Sequence, residues 1–351
     1  MHMADALISP AVGGALWAVT GGVSAYCARK LKSSLRGDLV PMMGVLGAFV
    51  FTAQMINFSI PGTGSSGHLG GGLMLTVLLG PHAAFLVLAS VLAVQAFFFA
   101  DGGLLSLGCN IINLGFFPAF VAYPLCYRWV ARDAHDGARL WGASVLAALV
   151  GLQLGAFSVV LETRASGVSG LPFNTFLLLM QPIHLAIGVV EGLATAAVVS
   201  FVGRARPESL GSARGGSDVP VSLRAVLTGV LLVTCVLGGV FSWFASTRPD
   251  GLEWAIAHVS GREKVAGAAS GLHEGLAAVQ GKTAVLPDYG FKEVAAGGQS
   301  EGAARASGAD AAETWPAVKA GTTVAGLAGG AITLVLTCLL GVLVKACQRA
   351  G

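Results

Sequence analysis

Charged side chains are scarce in this chain. Asp, Glu, Lys and Arg make up 11% of its 351 residues, whereas a soluble domain contains about 25%. Hydrophobic residues make up 54%, and the mean hydropathy is +0.75. These values predict a polytopic membrane protein. The net charge of +3 is small and no basic stripe with interleaved aromatic residues occurs, which excludes a nucleic-acid partner.

Paired cysteines and hydrolase motifs are also missing. The six cysteines are scattered, with no Cys-x-x-Cys pair, which excludes a disulfide framework and a zinc framework. Gly281-Lys282-Thr283 resembles the end of a phosphate-binding loop, but position 276 is leucine where that loop requires glycine. No H-E-x-x-H motif occurs, and the one G-x-S-x-G string, Gly298-Gln299-Ser300-Glu301-Gly302, lies in an Ala/Gly/Ser-rich stretch rather than at the strand-to-helix turn that a hydrolase requires. We therefore expect neither an enzyme nor an organic cofactor.

Apolar runs of about 20 residues, the length that crosses a bilayer as a helix, recur along the chain. The predicted spans are 11–28, 40–58, 81–100, 106–130, 140–161, 173–202, 222–245 and 321–345. The Gly-rich stretch 69–80 is short for a full span and could be a short helix or a re-entrant segment, but a crossing there makes the loop charges consistent. Asp5 precedes the first apolar run and a basic cluster follows it, which predicts a retained helix with its amino end outside.

The basic residues support this orientation. The short outer loops carry only Arg164, whereas the inner loops and helix ends are strongly basic, as the positive-inside rule requires. The inner set comprises Arg29, Lys30, Lys32, Arg36, Arg128, Arg132, Arg139, Arg204, Arg206, Arg214, Arg224, Lys345 and Arg349. We therefore predict a multi-pass protein with its amino terminus outside and its carboxyl terminus in the cytoplasm.

Two modules are predicted. Residues 1–203 form a bundle of seven helices, and residues 204–221 form a cytoplasmic linker. Residues 222–351 form a second module, in which two spanning helices flank an outer segment, 246–320. That segment opens with a turn and a short helix after Arg248-Pro249-Asp250. It ends in an Ala/Gly/Ser-rich stretch, 294–314, that is typical of a flexible linker.

Met1-His2 provides a chelating amino terminus. A free α-amine and the backbone nitrogen of His2 close a five-membered ring on a metal ion, and the imidazole Nδ1 closes a six-membered one. Histidine is too large at position 2 for ordinary removal of the initiator methionine. Three coplanar nitrogens leave one position in the plane, and all-nitrogen tetragonal coordination suits Ni(II) or Cu(II). The pattern is weak by itself, because most proteins with a histidine at position 2 bind nothing there.

A fourth nitrogen is available in the Gly-rich loop 62–72, which the topology places on the same side as Met1. Glycine permits close backbone approach, so this loop can fold around an inserted terminus and bring His68 to the metal. An outer loop with an incidental histidine is an equally good interpretation from position alone.

Uncharged polar residues lie near the outer ends of their predicted helices. They are candidates for orienting the ligands through hydrogen bonds, although cross-helix packing contacts are the commoner role. The set comprises Gln54, Asn57, Gln95, Asn110 and Asn113. His184 and Glu191 share a stripe of a later helix, where ionisable residues are functional candidates. We favour a buried pair that fixes helix packing. His82 follows Pro81 and is either a spare metal contact or a cap.

Several segments, taken in order, resemble a known family. They include Met1-His2-Met3-Ala4-Asp5, Gln54-Met55-Ile56-Asn57-Phe58, Ser66-Gly67-His68-Leu69-Gly70-Gly71, Gln95, Phe99-Ala100-Asp101-Gly102-Gly103, Gly108-Cys109-Asn110-Ile111-Ile112-Asn113 and His184-Leu185-Ala186-Ile187-Gly188 through Glu191-Gly192-Leu193-Ala194-Thr195. They resemble the metal-specific S-component of nickel/cobalt energy-coupling factor (ECF) transporters, over 1–203. Pro249-Asp250-Gly251-Leu252-Glu253 and Pro287-Asp288-Tyr289 resemble the N-type module fused to it, over 222–345.

This resemblance implies a function and a ligand set. The fold would be an all-α S-component bundle of seven helices plus the two-helix N-type module, in a bacterial-type cytoplasmic membrane. The metal ligands would be the Met1 amine, the His2 amide and imidazole nitrogens, and His68. Ni(II) would be the transported substrate, with Co(II) as the alternative. Two cytoplasmic ABC-type ATPase subunits and a transmembrane coupling (T) subunit would be the partners.

The chain departs from the family pattern at a few positions. Ala6 stands where glycine is common, and His82 stands where an aromatic residue often follows Gly-Pro. Neither departure removes a ligand. Two other functions stay open, namely a self-sufficient secondary transporter and a membrane metal sensor or scaffold. Only His184 and Glu191 lie well inside the spans, which offers little for the charged relay that a secondary transporter needs.

Overall fold

Helices dominate the computed structural model, which describes residues 2–132, 137–205, 222–261, 271–292 and 315–349. They are α1 (Pro10–Ser34), α2 (Leu39–Gln54), α3 (Gly72–Leu79), α4 (Pro81–Phe99), α5 (Leu107–Ala131), α6 (Ala138–Ser166), α7 (Phe173–Ala205), α8 (Leu223–Gly239), α9 (Gly251–Ser260), α10 (Gly271–Thr283) and α11 (Ala320–Arg349). The described part also holds a small antiparallel pair of strands, β1 (Phe58–Ser59) and β2 (Ser66–Gly67).

Long apolar helices confirm the prediction of an all-α polytopic membrane protein. In the described ranges, α1, α4, α5, α6, α7 and α11 are each long and apolar enough to cross a membrane. Helices α2 and α8 are apolar but shorter, at 16 and 17 residues. The division into seven plus two spanning helices stays a prediction.

The stretch 69–80 is not one continuous spanning helix. Helix α3 has 8 residues, which at a rise of about 1.5 Å per residue gives a rod of only ~12 Å. The loop before it, residues 60–71, is itself largely buried, including Ser65, Ser66 and His68. The loop and the short helix together therefore form a broken limb, which brings loop residues into the bundle and ends next to His82, a residue that contacts Tyr26 near the carboxyl end of α1. Exposed backbone is tolerated at such depth only where protein surrounds it.

Helix α5 is irregular. Its central part, Ile112–Tyr127, is wound as a π-helix and contains Pro118 and Pro124. Proline removes a backbone donor and collides with the preceding turn, so widened turns are a common response. The predicted span 106–130 is confirmed as one helical rod, since α-helical turns at Leu107–Ile111 and Arg128–Ala131 flank this part.

The second module packs directly on the first. Glycines allow the close approach: a Cβ at Gly329 of α11 would collide with the ring of Phe51 of α2. A Cβ at Gly44 would likewise collide with the sulfur of Cys338. Cys338 and the other five cysteines are free thiols, and a free cysteine behaves as a small apolar side chain. The first and second modules therefore share an apolar interface within the membrane region.

The outer segment contains the predicted short helix. Asp250 caps the amino end of α9, and its side chain and that of Glu253 form a reciprocal capping box. The linker expected at 294–314 lies outside the described residues, as do residues 206–221 of the cytoplasmic linker. The boundaries at 203 and 222 stay predictions.

Two glycines with positive φ permit a comparison of steric and backbone effects. Gly71 has φ +75°, and a Cβ there would lie 2.5 Å from Cγ1 of Val50. Gly80 has φ +81°, and a Cβ there would have no heavy atom within 4 Å. We expect Gly80→Ala to destabilise the chain by about 1–3 kcal/mol, the usual cost of a strained backbone conformation. Gly71→Ala should lower the thermal unfolding midpoint in detergent further, and equal midpoints for the two variants would contradict the steric reading of Gly71.

Candidate metal-binding site

The amino-terminal segment, residues 2–9, is anchored in a socket made by residues 101–113. The carbonyl oxygen of Met3 accepts hydrogen bonds from the Gly103 amide (2.9 Å) and the Ser106 hydroxyl (2.5 Å). The amide of Met3 donates to Oδ1 of Asn110 at 2.9 Å. The carboxylate of Asp5 accepts from the Ser106 amide at 2.9 Å. Because these bonds fix the backbone at position 3, they also fix where His2 lies.

The loop carrying His68, residues 60–71, is held by buried polar side chains. Glu191 accepts hydrogen bonds from the amides of Gly70 (2.7 Å) and Gly71 (3.1 Å). The side-chain nitrogen of Gln54 donates to the carbonyl oxygen of Gly70 at 2.7 Å. Gln95 in turn donates to Oε1 of Gln54 at 2.9 Å. Glu191, Gln54 and Gln95 therefore position the backbone next to His68.

We expect Glu191→Gln to weaken metal binding by about 10–100-fold, the usual cost of losing a residue that orients a ligand. Glutamine is uncharged and has one acceptor oxygen, so one of the two glycine amides loses its acceptor and the other keeps only a neutral one. Nickel affinity and thermal stability of the purified chain are the measurements. Glu162→Gln is the matched control, since Glu162 is also a buried carboxylate but bonds to Asn113 and Ser158. An affinity loss equal in both variants would mean that Glu191 has no specific role at the loop.

His2 and His68 lie against each other. Their ring centroids are 4.9 Å apart and the ring planes differ by 10°. Both are buried, with exposed fractions of 6% for the His2 side chain and 8% for His68. The structure thus brings together the two histidines that the sequence predicted as ligands. Met1, the third predicted ligand, lies outside the described residues.

The nitrogen atoms of the two rings have distinct surroundings. Nδ1 of His68 is 3.0 Å from the carbonyl oxygen of Leu69, so Nδ1 donates and the neutral ring keeps its lone pair on Nε2. Nδ1 of His2 lies 3.3 Å from Oδ1 of Asp101. Nε2 of His2 is buried and has no hydrogen-bond partner within the described ranges.

Burial lowers the pKa of His2 and that of His68 from 6.5 to about 3. Desolvation disfavours the charged imidazolium form. Both rings are therefore neutral at neutral pH, which is the protonation state that a metal ligand requires.

The remaining predicted residues divide into two groups. Gln54 and Asn110 bond to the two segments that carry His68 and His2, and Gln95 bonds to Gln54; their role in orienting the ligands stays a prediction. Asn113 lies next to Met3, with its side-chain nitrogen 3.9 Å from the methionine sulfur. Asn57 contributes its backbone carbonyl, which accepts from the Ser246 amide at 2.7 Å.

His82 contacts other parts of the bundle. Its ring lies 5.6 Å from that of Tyr26 and 5.8 Å from that of Phe120. The expected pairing of His184 with Glu191 is wrong: Glu191 accepts from the glycine amides, whereas Nδ1 of His184 lies 2.7 Å from the carbonyl oxygen of Met180. Two residues seven positions apart on a helix lie on the same face, but their side chains do not have to contact each other.

Two carboxylates near the histidines were not among the predicted site residues. Asp101 contacts His2, and its other oxygen accepts from the hydroxyl of Tyr289 at 2.5 Å. Asp250 lines a small cavity together with His68. Both belong to segments that the family resemblance includes, which is the signal that could have identified them. Neither has a sequence neighbour among the predicted ligands, so spacing alone does not connect them.

The second module contacts both segments that carry the histidines. The Ser66 amide donates to the carbonyl oxygen of Pro249 at 2.8 Å, beside His68. The Gln280 side chain donates to the carbonyl oxygens of Ala96 (2.9 Å) and Gly102 (2.7 Å), beside Asp101. His273 Nε2 lies 3.0 Å from the carbonyl oxygen of Ile8. The outer segment therefore contacts the loop that carries His68, the turn that carries Asp101 and the amino-terminal segment.

Side chains alone do not complete a metal site in the described part of the chain. No group of three or more His, Cys, Asp or Glu residues there is arranged to hold a metal ion. A site at His2 and His68 would thus need nitrogen donors from the main chain or the terminal amine.

Comparison with known proteins gives the family. Residues 2–209, more than half of the chain, match the cobalt uptake substrate-specific transmembrane region, CbiM. The chain belongs to the CbiM family. Residues 224–346 match the PDGLE domain, which has the sequence Pro249-Asp250-Gly251-Leu252-Glu253 here. The family resemblance inferred from the sequence motifs is confirmed.

Relatives of this CbiM chain are named as metal transport proteins. The putative fused nickel transport protein NikMN of Archaeoglobus fulgidus is 32% identical over 230 residues, which cover 66% of this chain and 75% of that protein. The fused nickel transport protein NikMN of Rhodobacter capsulatus is 30% identical over 289 residues, covering 78% and 81%. A crystal structure of a truncated transition metal transporter matches with a TM-score of 0.51 at 29% identity, covering 57% of this chain and 98% of that one.

Proposed function

We propose that the chain is the substrate-binding membrane component of an ATP-driven nickel importer of the energy-coupling factor type. The observation that carries the proposal is the buried, stacked pair of His2 and His68 beside an anchored amino-terminal segment. The names of the fused relatives support Ni(II) as the transported ion. Co(II) is the alternative, as for cobalamin biosynthesis, because the matching family is described by cobalt uptake.

The proposed ligands are four nitrogens in one plane. They are the Met1 amine, the backbone nitrogen and Nδ1 of His2, and Nε2 of His68. Four nitrogens in a tetragonal arrangement favour Ni(II) over Co(II), and Cu(II) should bind at least as well in vitro. The amine donor follows from chelate chemistry and requires Met1 to be the first residue with its amine free.

The His2 ring must rotate for this chelate to form. Rotation by 180° about the Cβ–Cγ bond exchanges Nδ1 with Cδ2 and Nε2 with Cε1, which releases Nδ1 from Asp101. Nε2 then lies on the side of the ring that faces the carboxylate. A carboxylate that accepts from the second ring nitrogen is a usual partner of a metal-bound histidine. Asp101 would thus hold the rotated ring.

Energy for transport would come from partner subunits. Two cytoplasmic ABC-type ATPases and a transmembrane coupling (T) subunit would act on the loaded chain, which has no nucleotide-binding motif of its own. The amino terminus would face the outside and the carboxyl terminus the cytoplasm of a bacterial-type cytoplasmic membrane.

Reconstitution tests the proposal. Radioactive nickel should enter proteoliposomes that hold the chain together with both kinds of partner and ATP, and uptake should stop when ATP is omitted. Uptake by the chain alone would instead identify a self-sufficient secondary transporter. Nickel binding without uptake in the full complex would identify a sensor or scaffold.

A further inference from the structure

His184 has a buried ring nitrogen that makes no hydrogen bond with the described residues. The residue is 1% exposed on α7. Its Nδ1 lies 2.7 Å from the carbonyl oxygen of Met180. A carbonyl oxygen only accepts, so Nδ1 is the donor and the neutral ring has its lone pair on Nε2. That Nε2 is buried and lacks a hydrogen-bond partner in the described ranges.

His184 borders a small cavity that His68 also lines. His68, His184, Asp250 and Gly251 are among the residues that line the cavity, whose volume is about 10 Å³, room for about one water molecule. A Cβ at Gly251 would lie 3.6 Å from Cε1 of His184. Cε1 is bonded to Nε2, so this edge of the ring faces the first turn of α9, which Asp250 caps.

The donor set fits a divalent transition-metal ion. Imidazole nitrogen suits nickel and related ions, and a carboxylate oxygen adds negative charge. The hydrogen bond from Nδ1 to a main-chain carbonyl is the arrangement that orients a metal-ligating histidine. This bond uses Nδ1 and leaves Nε2 as the ring nitrogen with a lone pair; what distinguishes His184 from a structural histidine with the same bond is that its Nε2 is buried without a partner among the described residues.

We infer that Nε2 of His184 and the carboxylate of Asp250 form an accessory cation subsite, which the transported divalent ion occupies weakly beside the planar site. Water completes its coordination. The subsite rests on the proposed function, because it needs a divalent metal ion as the transported substrate. It offers ligands to an ion that has lost part of its planar nitrogen set, so that exchange proceeds stepwise. It also gives Asp250 of the second module a direct contact with the ion.

The subsite is tested in the full chain after the planar site is removed. In a His2→Gln/His68→Gln background, equilibrium dialysis with nickel chloride should show one weak nickel equivalent. Adding His184→Gln to this background should lower the affinity of the weak nickel equivalent at least about tenfold, which is the lower end of the loss seen when a partner of a metal ligand is removed. Asp250→Asn should also lower it, and since asparagine is an equally good helix cap, α9 is retained. His258→Gln, a change at a histidine of α9 that bonds to the Trp254 carbonyl, should leave the weak equivalent unchanged.

Two outcomes would overturn the subsite: no nickel binding in the double-variant background, or binding that survives both His184→Gln and Asp250→Asn. If the His184 variant does not fold, the Asp250 variant decides. The proposed function fails separately, when the chain with intact His2 and His68 shows no tight nickel site although the weak one persists.

Discussion

A chain extended by one residue ahead of Met1 is expected to lose high-affinity nickel binding, by more than the roughly 10–100-fold that follows loss of an orienting residue. The extension converts the amine into an amide and moves the free amine out of the five-membered chelate ring. It also lengthens a segment whose backbone is bonded at Met3 to Gly103 and Asn110.

Affinity and stoichiometry of the purified native chain and the extended chain are the measurements. A chain carrying the same extra residue after Gly351 is the control and should bind one nickel ion as the native chain does. Proteolytic removal of the extension, which restores the Met1 amine, should restore binding. Equal affinity for the native and extended chains would exclude the terminal amine as a ligand.

His68→Gln is expected to reduce nickel affinity by more than about 100-fold, because it removes one of four donors rather than an orienting partner. Glutamine keeps a polar side chain of similar length but lacks the ring nitrogen. The visible absorption of the bound nickel should also change, since an oxygen or water would replace nitrogen in the plane.

The matched control is His82→Gln. His82 packs against the rings of Tyr26 and Phe120, so its substitution should cost some stability but leave the nickel spectrum intact. A His68 variant that retains both the affinity and the spectrum of the native chain would contradict the assignment of His68 as a ligand.

The chelate predicted at the amino terminus depends only on covalent neighbours. Five- and six-membered chelate rings follow from the order of Met1 and His2 alone. The glycine-rich surroundings of His68 indicated a loop able to fold inward, and the structure places that ring 4.9 Å from His2. From its position alone, His68 was equally well interpreted as a metal ligand and as an incidental histidine.

Contacts between distant segments were not predictable from spacing. Asp101 is held by Tyr289, 188 residues further along the chain, and the contact of Ser66 with Pro249 spans 183 residues. Helical periodicity places His184 and Glu191 on one stripe but does not say what each side chain meets. Glu191 meets loop amides that belong to no helix.

Hydropathy alone did not distinguish a continuous spanning helix from the broken limb formed by loop 60–71 and α3. The composition of the apolar stretch 69–80 does not show whether it forms one helix or a loop followed by a short helix. Gly80 interrupts this stretch with φ +81°, so α3 stops after 8 residues. Loop charges favoured a crossing, because the limb and α4 together return the chain to the side from which it came.

X-ray absorption at the nickel edge of the native chain loaded with one equivalent is the most direct measurement of the proposed site. The expected spectrum has the pre-edge feature of square-planar Ni(II), four nitrogen neighbours, and outer scattering from two imidazole rings. Six-coordinate nickel, or a sulfur neighbour such as that of Met3, would contradict planar coordination by the amino terminus and His68.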